Sequence, residues 1–178
     1  MTGDTKRARN AVLATFEWID GNASFTPVFR SAETLRLLGA GLAEPFRDFG
    51  ITAVIAPEAR GFILGALCAT SLGVGFVAAR KPGELRSGDW VEVESDPDWR
   101  GRRITFSIAN VLTSADRVLI VDDWIETGSQ AKAVACAISQ MGATLVGTSV
   151  IVDQAPDSIR VALNVVGLLR WDELPPGG

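Results

Sequence analysis

The chain is organised around residues Val118–Gln130, VLIVDDWIETGSQ. The first four residues are branched and apolar with no polar alternation, which predicts a strand buried on both faces, as in a parallel sheet. Asp122 and Asp123 follow at its carboxyl end, where open α/β sheets bind their ligands. Thr127–Ser129 then opens a predicted helix, whose first N–H groups form a ready anion site. Carboxylates for sugar hydroxyls beside an anion site predict a site for a phosphorylated sugar.

Three other interpretations of the acidic doublet are open. An Asp-Asp pair is often no more than a solvated turn. A receiver-type domain also carries an apolar strand that ends in Asp-Asp, but near its start, whereas few residues follow the doublet here. A dinucleotide-binding fold needs a G-x-G-x-x-G after a strand, and the sequence has none. Only the complete element, with its Thr-Gly, favours the sugar phosphate.

A second segment lies upstream, where Thr52–Ala56 is a predicted strand and Gly61–Leu72 a predicted helix. The loop between them reads Pro-Glu-Ala-Arg-Gly. Its backbone N–H groups and the Arg60 guanidinium together suit an anion. A surface turn in which Arg60 pairs with Glu58 explains the same residues.

The next predicted strand, Val74–Ala79, ends at the basic pair Arg80-Lys81. Such a pair suits a polyanionic ligand, or is simply a solvated strand end. The polar, turn-rich segment Glu84–Arg103 then predicts a lid that opens and closes over the site. A surface hairpin without a catalytic part is the alternative.

These segments together resemble the type I phosphoribosyltransferases, most closely the adenine (purine) phosphoribosyltransferases. The resemblance rests on Pro57–Gly65 (PEARGFILG), Arg80–Gly83 (RKPG) and the signature for phosphoribosyl pyrophosphate (PRPP) at Val118–Gln130. It implies an α/β fold with a mostly parallel sheet flanked by helices. It also implies a single domain over residues 1–178, with a core of about 50–153 and a small hood from about 10–45 and 154–178.

The resemblance implies transfer of 5-phosphoribose from PRPP to a purine-like base, with release of pyrophosphate. It further implies Mg²⁺ bound with PRPP, and a homodimer. The alternatives are a non-catalytic PRPP- or nucleotide-sensing protein on the same fold, or an enzyme for a different base.

The site residues that the resemblance implies fall into four groups. Asp122, Asp123 and Glu126 are the catalytic candidates, and the two aspartates would hold the metal directly or through water. The 5′-phosphate would be bound by Glu126, Thr127, Gly128, Ser129 and Gln130. Pyrophosphate would be bound by Ala59, Arg60, Gly61, Arg80 and Lys81, and the base by Val28 and Arg30.

The sequence departs from the adenine enzymes in the lid and in the signature. Their lid carries a Glu-Tyr-Gly whose Glu has been assigned a catalytic role, and Trp99 and Arg100 stand there instead. Glu84 replaces a basic residue near the start of the lid. Glu126 replaces the usual Ala before Thr-Gly, so it is a candidate general acid/base, or only a first-turn carboxylate favoured by the helix dipole. These departures leave the accepted base open.

Composition narrows the class of protein. With 178 residues, 47% of them hydrophobic and 21% charged, the chain is expected to fold as one globular unit. Near its ends, Met1–Arg9 is predicted to be a mobile tail and Val161–Leu168 a strand. A net charge of −4 argues against a nucleic-acid surface. The absence of histidine excludes histidine general-base catalysis and histidine-ligated zinc. Cys68 and Cys136 are predicted core thiols, and the chain is expected to be cytoplasmic, without a membrane span.

Overall fold

A computed structural model describes residues 3–83, 88–97 and 100–176. Within these ranges the helices are α1 (Gly3–Thr15), α2 (Thr26–Arg30), α3 (Ala32–Ala43), α4 (Arg60–Leu72), α5 (Ser129–Gln140) and α6 (Asp157–Ala162). The strands are β1 (Glu17–Ile19), β2 (Asn22–Ser24), β3 (Ala53–Pro57), β4 (Gly75–Arg80), β5 (Trp90–Glu94), β6 (Thr105–Ala109), β7 (Arg117–Ile125), β8 (Thr144–Asp153) and β9 (Val165–Arg170).

The main sheet of the described residues has the strand order β5-β6-β4-β3-β7-β8-β9. Five neighbouring strands, β4-β3-β7-β8-β9, run parallel. β6 is antiparallel to both of its neighbours, β4 and β5. β1 and β2 form a separate antiparallel hairpin. The predicted mostly parallel α/β architecture is confirmed.

Helices cover both faces of this sheet, which is why the central strand β7 carries no polar alternation. Leu119 and Val121 belong to an apolar cluster that includes Leu38 and Leu42 of α3. Val118 and Ile120 belong to a second cluster, with Val134, Ala137 and Ile138 of α5. α3, which lies in the predicted hood, packs directly against α4 of the predicted core. The division into core and hood stays a prediction.

The acidic doublet lies inside β7 rather than after it, so the predicted end of this strand is wrong. Pairing between β3 and β7 stops at Ile55 and Ile120, whereas pairing between β7 and β8 continues to Ile125. The last residues of β3 stay with β4. β7 is therefore held on one side only beyond Ile120, and a gap opens beside Asp122 and Asp123.

Two further predictions about the chain ends are wrong. Residues 1–9 were expected to be a mobile tail, but from Gly3 onward the chain forms α1, with Ala8 and Val12 fully buried. A strand over Val161–Leu168 is replaced by the end of α6 and by β9, which begins where Val165 pairs with Thr148. Asn164 makes the turn between them at a positive φ of 45°, which Asn tolerates better than most residues.

The two cysteines are both free thiols, but only Cys68 is buried as predicted. Its burial raises the pKa of the Cys68 thiol to about 12, so it is inert at neutral pH. Cys136 is exposed, because it lies on the outer side of α5, opposite the buried Val134 and Ile138. No helix in the described residues has the length and hydropathy that a membrane span needs.

α1 is docked on α3 by a close approach at Gly41. A Cβ built on Gly41 would lie 2.4 Å from the Cβ of Ala8. We therefore expect Gly41→Ala to lower the free energy of unfolding by about 1–3 kcal/mol, since the two helices must move apart. Urea denaturation measures the change. Gly75→Ala is the matched control, because a Cβ there meets nothing within 4 Å; equal stability of the two variants would contradict the docking.

Candidate active site

Asp122 and Asp123 line a cleft of about 830 Å³ at the gap between β3 and β7. The backbone N–H of Asp123 donates to Asp122 Oδ1 at 2.8 Å. A Cβ on Gly61, in the first turn of α4, would lie 3.2 Å from the same oxygen. Glycine at this position therefore lets the helix start lie directly against the carboxylate.

Asp123 is only 7% exposed, and its charge is met by Arg60. Arg60 Nη2 lies 2.9 Å from Asp123 Oδ2. The contact is an ion pair without hydrogen-bond alignment, since within the described residues this buried oxygen has no hydrogen-bond partner. A buried carboxylate oxygen without a directional partner is costly, and it is the kind of atom that a ligand hydroxyl or metal-bound water would satisfy. The alternative pairing of Arg60 with Glu58 does not occur among these contacts.

The carboxylate of Asp123 is close enough to that of Asp122 to affect the pKa of Asp122. Burial, followed by the negative charge of Asp123, raises the pKa of Asp122 well above that of an ordinary aspartate. The Arg60 guanidinium acts in the opposite direction with a smaller effect. The ligand-free site thus holds like charges together at a cost in stability.

The Thr-Gly loop turns the chain from β7 into α5. Gly128 has a positive φ of 73°, and a Cβ there would lie 2.4 Å from Ile159 Cγ2 of α6. No side chain caps α5 at this end. Thr127 Oγ1 instead accepts from the backbone N–H of Ser129 at 3.3 Å and donates to Ser129 Oγ at 3.1 Å. The first turn of α5 therefore offers hydroxyls and N–H groups to an anion.

Facing the doublet is the loop between β3 and α4. The peptide bond between Glu58 and Ala59 is cis. Glu58 Oε2 accepts from the backbone N–H of Lys81 at 2.9 Å, which ties this loop to the end of β4. Ala59, Arg60 and Lys81 line the cleft with the doublet.

Two residues predicted to bind pyrophosphate are not part of the cleft lining. Gly61 is buried behind the loop, beside Asp122. The guanidinium of Arg80 lies over the ring of Phe62, with 5.9 Å between its central carbon and the ring centroid. Lys81, not Arg80, is the cation that this strand end brings to the cleft.

The predicted lid is only partly described. Residues 90–94 of the predicted lid form β5, which pairs with β6 at the sheet edge. This pairing agrees with the alternative interpretation of the segment as a surface hairpin. Ser95, which matches the family pattern, is buried, and its Oγ accepts from the backbone N–H of Ile104 at 3.0 Å. Arg100 and Arg102 line the cleft, a role that the sequence reading did not assign to them. Glu84, Arg86 and Trp99 lie outside the described residues.

The remaining predicted phosphate-binding residues, Glu126, Thr127, Gly128, Ser129 and Gln130, all line the cleft. The predicted base contacts do not. Val28 is fully buried in the apolar core, and Arg30 is exposed outside the cleft lining. Their role in base binding stays a prediction that the cleft lining does not support.

Aromatic side chains that the sequence reading missed form one end of the cleft: Trp18, Trp124 and Trp171. The Trp18 and Trp124 rings meet edge to face, with centroids 6.4 Å apart. Trp18 Nε1 donates to the carbonyl of Pro175 at 2.7 Å, so the β1–β2 hairpin and the C-terminal segment meet here. The aromatic enrichment of residues 15–30 was the available signal, but it does not say which rings turn toward the cleft.

Because the pKa of Asp122 is raised, the free energy of unfolding should depend on pH through this residue. Because the native state binds this proton more tightly than the unfolded chain, ionised Asp122 lowers the free energy of unfolding at neutral pH. We expect Asp122→Asn to raise it by about 1 kcal/mol at pH 7–8. The gain should shrink as the pH falls through the native pKa of Asp122, and vanish once both states are protonated. Urea titrations across this pH range measure it.

Asp116 provides a control of opposite sign. The backbone N–H of Thr113, followed by the Thr52 hydroxyl, lowers the pKa of Asp116. Asp116→Asn should therefore lose stability at neutral pH, with the loss disappearing in acid. A loss of stability in Asp122→Asn at neutral pH would show that the doublet is not strained by its charges.

The family was sought by comparison with known proteins. No family model matches the chain. An adenine phosphoribosyltransferase of Methylococcus capsulatus is 38% identical over 128 residues, which is 72% of this chain and 74% of that protein. This identity extends well beyond the three segments on which the resemblance rests.

Solved structures agree with the sequence comparison. Adenine phosphoribosyltransferase from Thermoanaerobacter pseudethanolicus superposes with a TM-score of 0.79 at 26% identity, covering 92% of this chain and 99% of that chain. The Saccharomyces cerevisiae enzyme, solved with D-2,5-dideoxy-2,5-imino-altritol 1,6-bisphosphate and adenine, gives a TM-score of 0.75 at 27% identity, with the same coverage. With the cleft at the end of β7, these likenesses show that the chain has the type I phosphoribosyltransferase fold and belongs to the adenine phosphoribosyltransferase family.

Proposed function

We propose that the chain transfers the 5-phosphoribosyl group from PRPP to a purine-like base and releases pyrophosphate. The observation that carries this proposal is the position of the acidic doublet. Asp122 and Asp123 share one cleft with the Thr-Gly loop and with the cations Arg60 and Lys81. Carboxylates, an anion site and separate cations are what a sugar carrying a phosphate at one end and a pyrophosphate at the other requires.

The 5′-phosphate is assigned to the first turn of α5. Residues Glu126–Gln130 line the cleft there, and the N-terminal N–H groups of this 12-residue helix offer a partial positive charge. Gly128 is consistent with this assignment. Because it has no side chain, the loop can pack against Ile159 and keep its position at the start of α5.

The pyrophosphate is assigned to the opposite wall, where Arg60 and Lys81 meet the loop that contains Ala59. Arg100 and Arg102 of the lid line the same cleft and add positive charge from above. Closing the lid would exclude water, which would otherwise accept the phosphoribosyl group and waste PRPP by hydrolysis.

The donor set fits a Mg²⁺ ion that arrives with PRPP rather than a resident metal. Among the described residues, no group of three or more His, Cys, Asp or Glu side chains converges as a metal site. Asp123 Oδ2 is nevertheless a buried acceptor without a hydrogen-bond partner there. Mg²⁺ usually takes one or two carboxylates together with substrate phosphates and waters. Asp122 and Asp123 would hold it, directly or through water, and its charge would help to neutralise pyrophosphate.

In the transfer, the bond from ribose C1 to the pyrophosphate oxygen breaks, and its electron pair leaves with pyrophosphate. A bond from C1 to a base nitrogen forms, and that nitrogen loses its proton either to the candidate base Glu126 or to the departing pyrophosphate. Positive charge builds on the sugar as the leaving group departs. The carboxylates of Asp122 and Asp123 stabilise this charge and accept hydrogen bonds from the ribose hydroxyls.

A homodimer and a cytoplasmic location remain predictions from the family resemblance. A non-catalytic sensor would bind PRPP in the same cleft without releasing pyrophosphate. Measuring pyrophosphate release with PRPP and a panel of adenine, hypoxanthine, guanine and pyrimidine bases separates the two functions and names the base.

Replacing both carboxylates tests the assigned chemistry. We expect the Asp122→Asn, Asp123→Asn double variant to lose turnover by at least about 10³-fold, because two negative charges next to the cationic sugar are removed. Pyrophosphate release measures the loss, and circular dichroism checks that the fold is kept. Undiminished turnover in the folded variant would rule out the assigned roles.

Glu126 is a second test, because its two interpretations differ in their readout. If Glu126 takes the proton from the base, Glu126→Gln should lower kcat by roughly 10²-fold and flatten the acid limb of the pH profile. If Glu126 only interacts favourably with the dipole of α5, Glu126→Gln should lower the free energy of unfolding by a few tenths of a kcal/mol and leave kcat unchanged. The pH dependence of kcat and a urea titration decide between them.

A further inference from the structure

The side chain of Gln154 is oriented by a single hydrogen bond to Trp124. Trp124 Nε1 donates to Gln154 Oε1 at 2.9 Å. An indole N–H can only donate, so it fixes which end of the amide is the oxygen. The amide nitrogen, with two N–H donors, must then point away from the indole. No hydrogen-bond partner for it occurs among the described residues.

The backbone around Gln154 is fixed by hydrogen bonds, several of them to the buried carboxylate of Asp153. The backbone N–H of Gln154 donates to the carbonyl of Ile125 at 2.9 Å. Its neighbour Asp153 is 3% exposed and accepts from Arg160 Nε at 2.7 Å and from Arg170 Nη1 at 3.0 Å. Asp153 Oδ1 also accepts from the backbone N–H of Ala155 at 2.9 Å. Residues on both sides of Gln154 are therefore tied to β9 and α6, which makes its position rigid.

Gln154 and Trp124 both line the aromatic end of the cleft, with Trp18. Trp124 directly follows the acidic doublet along β7, so this end of the cleft adjoins Asp122 and Asp123. An oriented amide donor in a cleft end that is also lined by aromatic side chains is suited to a flat heteroaromatic ring with an acceptor at its edge. Sugars and phosphates need no such aromatic walls.

We propose that Gln154 determines the choice of base by donating from Nε2 to an acceptor on the base edge, with Trp124 as the positioning residue. The inference rests on the proposed function and names the chemistry that the site recognises. The acceptor is either a carbonyl oxygen, as in a 6-oxopurine, or an unprotonated ring nitrogen, which adenine shares. Because the indole N–H holds the amide oxygen, the group that this orientation leaves for the base is the Nε2 donor.

Gln154→Glu is the sharpest test, since the two side chains have nearly the same shape. One carboxylate oxygen can still accept from Trp124, while the other replaces the donor with an acceptor. Affinities for AMP, IMP and ribose 5-phosphate are measured by calorimetry on folded protein. We expect nucleotide binding to weaken roughly tenfold or more, because the hydrogen bond is lost and two acceptors face each other. Binding of ribose 5-phosphate should stay within about twofold.

The nucleotide that weakens identifies the acceptor. Loss of IMP binding alone supports a carbonyl contact, and equal loss for AMP and IMP supports a shared ring nitrogen. Unchanged binding of both nucleotides, or an equal loss for ribose 5-phosphate, overturns the proposal. Nucleotide binding needs no turnover, so inactive wild-type protein would contradict the proposed function while this test still decides the role of Gln154.

Trp124→Phe tests the positioning role separately. It keeps an aromatic ring and removes the indole N–H, so the amide can turn over. We expect the nucleotide that Gln154→Glu weakens to bind less tightly, and the two substitutions to be less than additive, since both act through one hydrogen bond. Full additivity, or unchanged binding in Trp124→Phe, would remove Trp124 from the mechanism.

Discussion

The site depends on one feature of the sheet: the central strand β7 loses its pairing with β3 before it loses its pairing with β8. β3 accompanies β7 only as far as Ile120, while β8 accompanies it to Ile125. If β3 followed β7 to its end, sheet hydrogen bonds would fill the space where Asp122 and Asp123 now meet the cleft. The gap lets two adjacent carboxylates be firmly anchored by the strand and still reach a ligand. Rigid anchoring suits the proposed role, in which these charges face the sugar without reorganising.

The same gap explains how an acidic chain can accept a polyanion. The net charge is −4, so the overall field does not attract a substrate that carries a phosphate and a pyrophosphate. The cleft supplies the attraction locally, through the start of α5 on one side and Arg60 and Lys81 on the other. Arg60 also pairs with Asp123, which lowers the cost of burying that charge. A substrate with Mg²⁺ would compete for this guanidinium and offer the carboxylate a better partner, so binding and relief of strain are coupled.

The sequence predicted the central elements well, because their signals are local. Four apolar residues in a row, two carboxylates and a Thr-Gly were sufficient to place the strand and the first turn of α5, and to predict a site between them. The same local reading could not show how far β7 continues, because that depends on pairing with β8, which comes later in the chain. α1 was missed for a similar reason: its polar sequence becomes a helix because Ala8 fits against Gly41, 33 positions away. Val28 was expected at the base because it matches a motif, yet its side chain completes the core.

The aromatic end of the cleft shows most clearly what a linear reading leaves out. Trp18 comes from the β1–β2 hairpin, Trp124 from β7 and Trp171 from the turn after β9. Bonds between the two ends of the chain bring them together, from Trp18 to Pro175 and from Arg9 to Glu173. Since the doublet and the Thr-Gly loop take no part in these bonds, this end can change its chemistry while the sugar phosphate site stays intact.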